Sequence, residues 1–207
     1  MFYIVGLGNP GEEYKGTRHN TGREAILSFA KKLDFPDWNF DRKSNSQISK
    51  SKIGKEPVIL ILPDTFMNKS GNAISYFIKP KTGLPAQAGK KKSQENLIVV
   101  HDDIDLGLGT IKLSYNKGTG GHRGLDSIVK AVKTKEFIRL RIGISPVTPK
   151  GKIKKPIGER KVIDFILSKF KPTEQINLKK AFKKSVEALG VIILEGRDKA
   201  MNIANQQ

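Results

Sequence analysis

The sequence predicts an α/β fold: one domain with a twisted mixed β-sheet flanked by α-helices. Three observations carry that expectation. Apolar runs of strand length, at Phe2 to Leu7, Val58 to Leu62 and Leu97 to Val100, alternate with stretches of helical periodicity. The segment Ile138-Arg-Leu-Arg-Ile-Gly-Ile144 alternates strictly, as a strand with one covered and one polar face does. A chain of 207 residues suits one well-packed α/β domain and would make two unusually small.

In chain order, Phe2 to Leu7 reads as a buried first strand, and Thr21 to Leu33 as a helix with Ile26, Phe29, Ala30 and Leu33 on one face. After the runs at Val58 and Leu97, the residues Leu125, Ile128, Val129 and Val132 give a helix ahead of the alternating strand. A long last helix is expected from Thr173, an N-cap after Pro172, towards Leu194, with Lys179, Lys180, Lys183 and Lys184 exposed. Lys79 to Asn96 and Val147 to Arg160, rich in Pro, Gly and Lys, read as loops. No repeat or linker divides the chain.

Hydrophobic residues at 37% and charged residues at 28% describe an ordinary globular protein. The absence of cysteine excludes disulfide and thiolate chemistry and fits a reducing cytosol. Apolar runs far shorter than the roughly 20 residues of a membrane helix exclude a spanning segment. The N-terminus, without a basic region, is no signal peptide. A cytoplasmic protein is expected, as a monomer. Thirty-eight Lys and Arg against 20 Asp and Glu leave a net charge of +18, which draws polyanions. Nucleic acid is the favoured partner over a merely lysine-rich surface. A membrane surface is less favoured, since no stretch joins a basic face to a large aromatic one.

The three histidines lie in turn-like or glycine-rich settings. His19 precedes the first helix, His101 opens His101-Asp102-Asp103-Ile104-Asp105 after a strand, and His122 follows Gly120 and Gly121. The carboxyl ends of strands are where α/β sheets gather their sites. A helix N-terminus disfavours imidazolium, which keeps His19 neutral and available as a base. Asp102, if it meets the other ring nitrogen, would orient the ring and stabilise the imidazolium formed when a proton is taken from water.

Competing chemistries fit less well. Gly6-Leu-Gly8-Asn9-Pro10-Gly11 matches a dinucleotide fingerprint in form. Pro10, however, removes a backbone donor, and no acid-tipped second strand follows. The acids after His101 match neither an EF-hand nor a zinc signature, and no G-x-S-x-G elbow occurs.

Five motifs in order resemble the bacterial peptidyl-tRNA hydrolase family. They are Gly6-Leu-Gly-Asn9-Pro-Gly11 with Tyr14 and Thr17-Arg-His19-Asn20; Thr65-Phe66-Met67-Asn68; His101-Asp102-Asp103; Gly120-Gly121-His122-Arg123-Gly124; and Arg139-Leu-Arg141-Ile-Gly143. The resemblance implies an enzyme without metal or organic cofactor that cleaves the ester between a peptide and its tRNA. His19 would activate water, Asp102 would orient it, and Asn9 would bind near the ester. Asn68 would hold the peptide backbone or the tRNA end, with Tyr14, Phe66 and Met67 lining the cleft, although Phe66 and Met67 also suit a plain core. His122, Arg123 and Arg141 complete the substrate-binding set.

Two positions depart from the family pattern. Arg123 stands where relatives usually carry Asn, and it either binds a substrate phosphate or carbonyl or points away. The phosphate-gripping Lys and Arg pair of the family maps onto Ser114 and Arg141, with Lys112 and Lys117 as flanking substitutes. A catalytically silent RNA-binding relative is the rival reading. A nucleotide-dependent oxidoreductase is a third, and it requires tight dinucleotide binding.

Overall fold

Seven strands form one sheet in the order β2-β3-β4-β1-β5-β7-β6. The computed structural model describes residues 1–78 and 96–206. The strands are β1 Phe2–Gly6, β2 Asn39–Asp41, β3 Ser46–Ile53, β4 Glu56–Pro63, β5 Leu97–Gly107, β6 Ile111–Tyr115 and β7 Ile138–Ser145. The four central ones, β4, β1, β5 and β7, run parallel, while β3 and β6 pair antiparallel at their flanks and β2 closes one edge. The sheet is mixed, and the expected apolar runs are its buried centre.

Helices cover both faces. Helices α1 (Thr21–Lys32), α5 (Pro172–Glu195) and α6 (Arg197–Asn205) pack Ile26, Phe29, Ala181, Leu189, Ile192 and Ala200 against Ile4, Val100 and Leu140. Helices α2 (Ser70–Phe77) and α3 (Arg123–Val132) cover the other face with Ile74, Leu125, Ile128 and Val132 over Val5, Leu97 and Val99. Helix α4 (Glu159–Leu167) buries none of its residues fully.

The structure corrects several sequence expectations. The polar side of β7 faces the cleft rather than open solvent: the strand lies between β5 and β6, with Arg139 only 1% exposed and Arg141 26%. Alternation reported the side-chain chemistry correctly, but Arg139 is covered, and the Gly118 carbonyl accepts from its Nη1 at 2.6 Å. Helix α5 begins at Pro172 with Lys171 as N-cap, because Glu174 reaches back to the Lys171 amide at 2.7 Å. Lys184 is half-buried, unlike Lys179, Lys180 and Lys183. The stretch Val147 to Arg160 is a loop only as far as Gly158, where α4 starts. Of the other expected loop, 79–95 lie outside the described residues. Among the described residues no helix is long and apolar enough to cross a membrane.

One contact sets the position of everything that follows. A Cβ on Gly22 would lie 2.2 Å from the Val100 carbonyl oxygen, so only glycine lets the first turn of α1 rest on the backbone of β5. The Leu7 amide donates to that same carbonyl, and Arg23 donates to Leu7. The start of α1 is thereby fixed at the carboxyl ends of β1 and β5.

Candidate active site

The residues Arg18–Asn20 form a single 3-10 turn immediately before α1. Arg18 anchors it from beneath: Nη2 donates to Glu174 at 2.7 Å, Nη1 donates to the Ile144 carbonyl at 2.9 Å, and the guanidinium lies over Phe165 and Phe170. Asn20 clasps the turn after β1, accepting from the Asn9 amide at 2.8 Å and donating to the Asn9 carbonyl at 2.9 Å. Between these two anchors His19 has little freedom.

His19 Nδ1 lies 3.0 Å and 3.1 Å from the two carboxylate oxygens of Asp102, which is only 3% exposed. A carboxylate accepts, so Nδ1 carries the proton and Nε2 presents its lone pair to the cleft. Burial by itself would push Asp102 up, but the electrostatic pull of the His19 and His122 rings and the hydrogen bonds from both hold it well below the usual carboxylate range. For His19, burial lowers the ring's proton affinity and Asp102 raises it, by charge and by hydrogen bond. Asp102 prevails over burial and over the opposing charge of Arg123, so the net shift is upward.

Two further histidines pack beside this pair. His122 Nε2 lies 3.0 Å from Asp102 Oδ1, and its ring stands 5.0 Å from that of His19. His101, fully buried, sets its ring edge-on to His122 and donates from Nδ1 to the Asp102 carbonyl at 2.7 Å. Burial first, and the neighbouring His122 second, push the His101 ring down to about 3.

All ten side chains that the sequence singled out line one cleft of about 940 Å³: Asn9, Tyr14, His19, Phe66, Met67, Asn68, Asp102, His122, Arg123 and Arg141. Asn9 is buried with its Oδ1 accepting from the Met67 amide at 2.8 Å, which leaves its Nδ2 for the cleft. Met67 is core as well as lining, whereas Phe66 is more than half exposed and meets Tyr14 edge-on at the rim. Arg123, at the start of α3, pairs with Glu159 of α4 at 3.3 Å, with both side chains largely exposed and both lining the cleft. Arg141 Nε donates to Asp103 at 2.6 Å. In the ladder Lys112 is the residue opposite Arg141, and Ser114 lies opposite Arg139.

The motif reading missed α4 and gave Arg139 no role of its own. Val162, Ile163 and Ile166 of α4 form the apolar wall of the cleft, and only their helical spacing within a lysine-rich stretch signalled it. On the β6–β7 side of the cleft, Arg139 Nε and Nη2 and the Ser114 hydroxyl are buried without hydrogen-bond partners among the described residues.

His19, Asp102 and His122 offer three donor atoms within 4.8 Å of one another, a spacing a metal ion would accept. The donor set fits a proton network better. A metal on His122 Nε2 would move that ring's proton to Nδ1, which already accepts from the Gly124 and Leu125 amides.

A mixed α/β sheet with a buried His–Asp pair at the carboxyl ends of its strands defines a hydrolase-type site that needs no nucleophilic side chain. The family model for peptidyl-tRNA hydrolase matches residues 3–207. A curated peptidyl-tRNA hydrolase of Thermodesulfovibrio yellowstonii is 37% identical over 206 residues, covering all of both chains. That of Aquifex aeolicus is 39% identical over 204 residues, covering 99% of this chain and 96% of its own. The crystal structure of peptidyl-tRNA hydrolase from Acinetobacter baumannii superposes with a TM-score of 0.82 at 30% identity, covering 99% of this chain and 94% of that one. This chain belongs to the peptidyl-tRNA hydrolase family.

Proposed function

We propose that this chain hydrolyses the ester joining a peptide, or an N-blocked amino acid, to the terminal ribose of tRNA, with His19 as the general base. The observation that carries the reading is the His19–Asp102 pair, with Nδ1 held by the carboxylate and Nε2 open to the cleft. In that tautomer Nε2 takes a proton from water as the water oxygen attacks the ester carbonyl. The imidazolium so formed is stabilised by Asp102 and returns the proton to the departing ribose oxygen. General-base help of this kind is worth roughly 10² to 10⁴-fold.

The two ends of the cleft suit the two halves of such a substrate. Arg139, Arg141, Lys112 and Lys117 lie on the β6–β7 side and would attract phosphate. With Ser114 opposite Arg139 rather than Arg141, Lys112 is the cation best placed to act with Arg141. The amides of Asn9 and Asn68, with Tyr14, Phe66 and Met67, line the part that would read a neutral peptide backbone, and an amide can donate and accept there at once. Arg123 is engaged by Glu159, which lines the same cleft. The reading includes a monomer that works in the cytoplasm, where its tRNA substrate circulates.

The test is release of labelled N-acetyl-amino acid from its tRNA by the pure protein, beside His19→Ala and beside an unblocked aminoacyl-tRNA. Cleavage of the blocked substrate alone, lost in the variant, is the expected result. Bound tRNA with no cleavage would leave a catalytically silent RNA-binding relative.

A further inference from the structure

His122 lies in a glycine-rich segment facing the cleft, a setting that suits a substrate contact. Its hydrogen bonds assign it elsewhere. The ring is the N-cap of α3: Nδ1 accepts from the Gly124 amide at 3.2 Å and from the Leu125 amide at 3.4 Å. An amide only donates, so Nδ1 holds a lone pair and the neutral ring carries its proton on Nε2. That N–H is aimed at Asp102 Oδ1, 3.0 Å away. Both ring nitrogens are then committed to the protein, and neither is left for a substrate.

The atom His122 contacts is shared. Asp102 Oδ1 also lies 3.0 Å from His19 Nδ1, so one buried oxygen receives N–H groups from two rings carried by two different elements. A carboxylate held from one side can swing about its last torsion; held from two sides, it cannot. The second N–H also draws charge from the oxygen that attracts the His19 imidazolium. The remaining charged neighbour of His19 is Arg123, at the same end of α3 and itself paired to Glu159 of α4, while the adjacent Arg18 is turned away onto Glu174. On its far side His122 meets the buried ring of His101.

We infer that His122 is a positioning residue which, locked in one tautomer by its cap on α3, holds the Asp102 carboxylate for His19 and tempers its pull on the His19 ring, without touching substrate. The inference rests on His19 being the base.

The experiment compares His122→Leu, which removes both hydrogen bonds, with His122→Gln, whose amide can donate to Asp102 and accept from the α3 amides. The readout is the pH dependence of kcat and KM on N-acetyl-aminoacyl-tRNA, with His19→Ala alongside. For His122→Leu, kcat should fall about tenfold to a hundredfold, the usual loss for a residue that acts through a reacting group. KM should stay nearly constant, and the acidic limb should move to higher pH as Asp102 holds the imidazolium more tightly. His122→Gln should return the limb to its wild-type position and recover most of kcat. Equal losses in Leu and Gln variants, or a raised KM with the limb in place, overturn the proposal. Ring-nitrogen NMR of the unmodified protein tests the tautomer even if His122→Leu fails to fold: an Nε2-protonated neutral ring is expected, and an Nδ1-protonated one refutes it. Turnover surviving in His19→Ala defeats the base assignment and this inference together. A dead His19→Ala with an unmoved limb in His122→Leu defeats only the inference.

Discussion

Replacing Asp102 with Asn tests the catalytic reading most sharply, because the structure specifies which way the new amide must face. His122 offers its N–H to the Oδ1 position, so the Asn oxygen stays there and the Asn NH2 takes the place of Oδ2, 3.1 Å from His19 Nδ1. A donor at that point competes with the Nδ1 proton and favours the tautomer with the proton on Nε2, which cannot accept one from water. The variant loses both orientation and stabilisation of the imidazolium. The expected fall in kcat is about 10² to 10⁴-fold, or ~3–5 kcal/mol at 1.36 kcal/mol per tenfold. The pH dependence has a definite sign. Burial lowers the proton affinity of His19 and Asp102 raises it to a net increase, so without the carboxylate burial prevails and the acidic limb of the residual activity moves to lower pH. Stability carries a second signature. Asp102 is held down in the fold and contributes above its unfolded pKa; His19 is held up and contributes below its own. The pair is therefore worth most between about pH 4 and pH 6.5, and Asp102→Asn should lower Tm most in that window. The assay is release of labelled N-acetyl-amino acid across pH 5 to 9, with thermal melts at the same values. A lost rate with the acidic limb unmoved or raised would refute the reasoning, as would a change confined to KM.

Arg123→Asn removes a positive charge that lowers His19, so the acidic limb should move to higher pH while thermal stability stays nearly unchanged, since the Glu159 pair it breaks is exposed. A pH–rate profile beside a melt checks both parts. Arg141→Gln should raise KM for the tRNA substrate more than it lowers kcat. It should also reduce the salt slope of binding by roughly one, measured by filter binding over a salt series; an unchanged slope would remove Arg141 from the phosphate contacts. Gly22→Ala puts a methyl 2.2 Å from the Val100 carbonyl, and neither backbone can yield without moving His19. Overpacking of this kind costs about 1–3 kcal/mol or more, so Tm and kcat should fall together, and a melt coincident with wild type would contradict the packing account.

The sequence was most legible where chemistry and local geometry coincide. The ten side chains drawn from the motifs all line one cleft, and most of them sit in turns or at helix starts, positions that sequence patterns mark well. The parallel centre of the sheet was legible for a similar reason: strands covered on both faces read as continuous apolar runs. What stayed hidden depends on partners far along the chain. Helix α4 buries no residue fully, so its pattern is weak, and it meets the His19 turn through Phe165, whose ring lies against the Arg18 guanidinium, itself bonded to Glu174 of α5, 156 residues further on. The edge strand β2 is short, with no fully buried residue, and is defined by its pairing with β3. Arg139 read as the polar half of an alternating strand, yet it is the largest fully buried side chain described, over the ring of Phe137 and beneath Gly118. A guanidinium in that place is costly unless its donors are met. Two of its nitrogens, and the Ser114 hydroxyl on the neighbouring strand, have no hydrogen-bond partner among the described residues. Periodicity can report that a residue is polar and that it alternates. Whether its charge is spent on solvent, on a carbonyl or on a substrate is decided by the loop folded over it, which lies some twenty residues earlier in the chain.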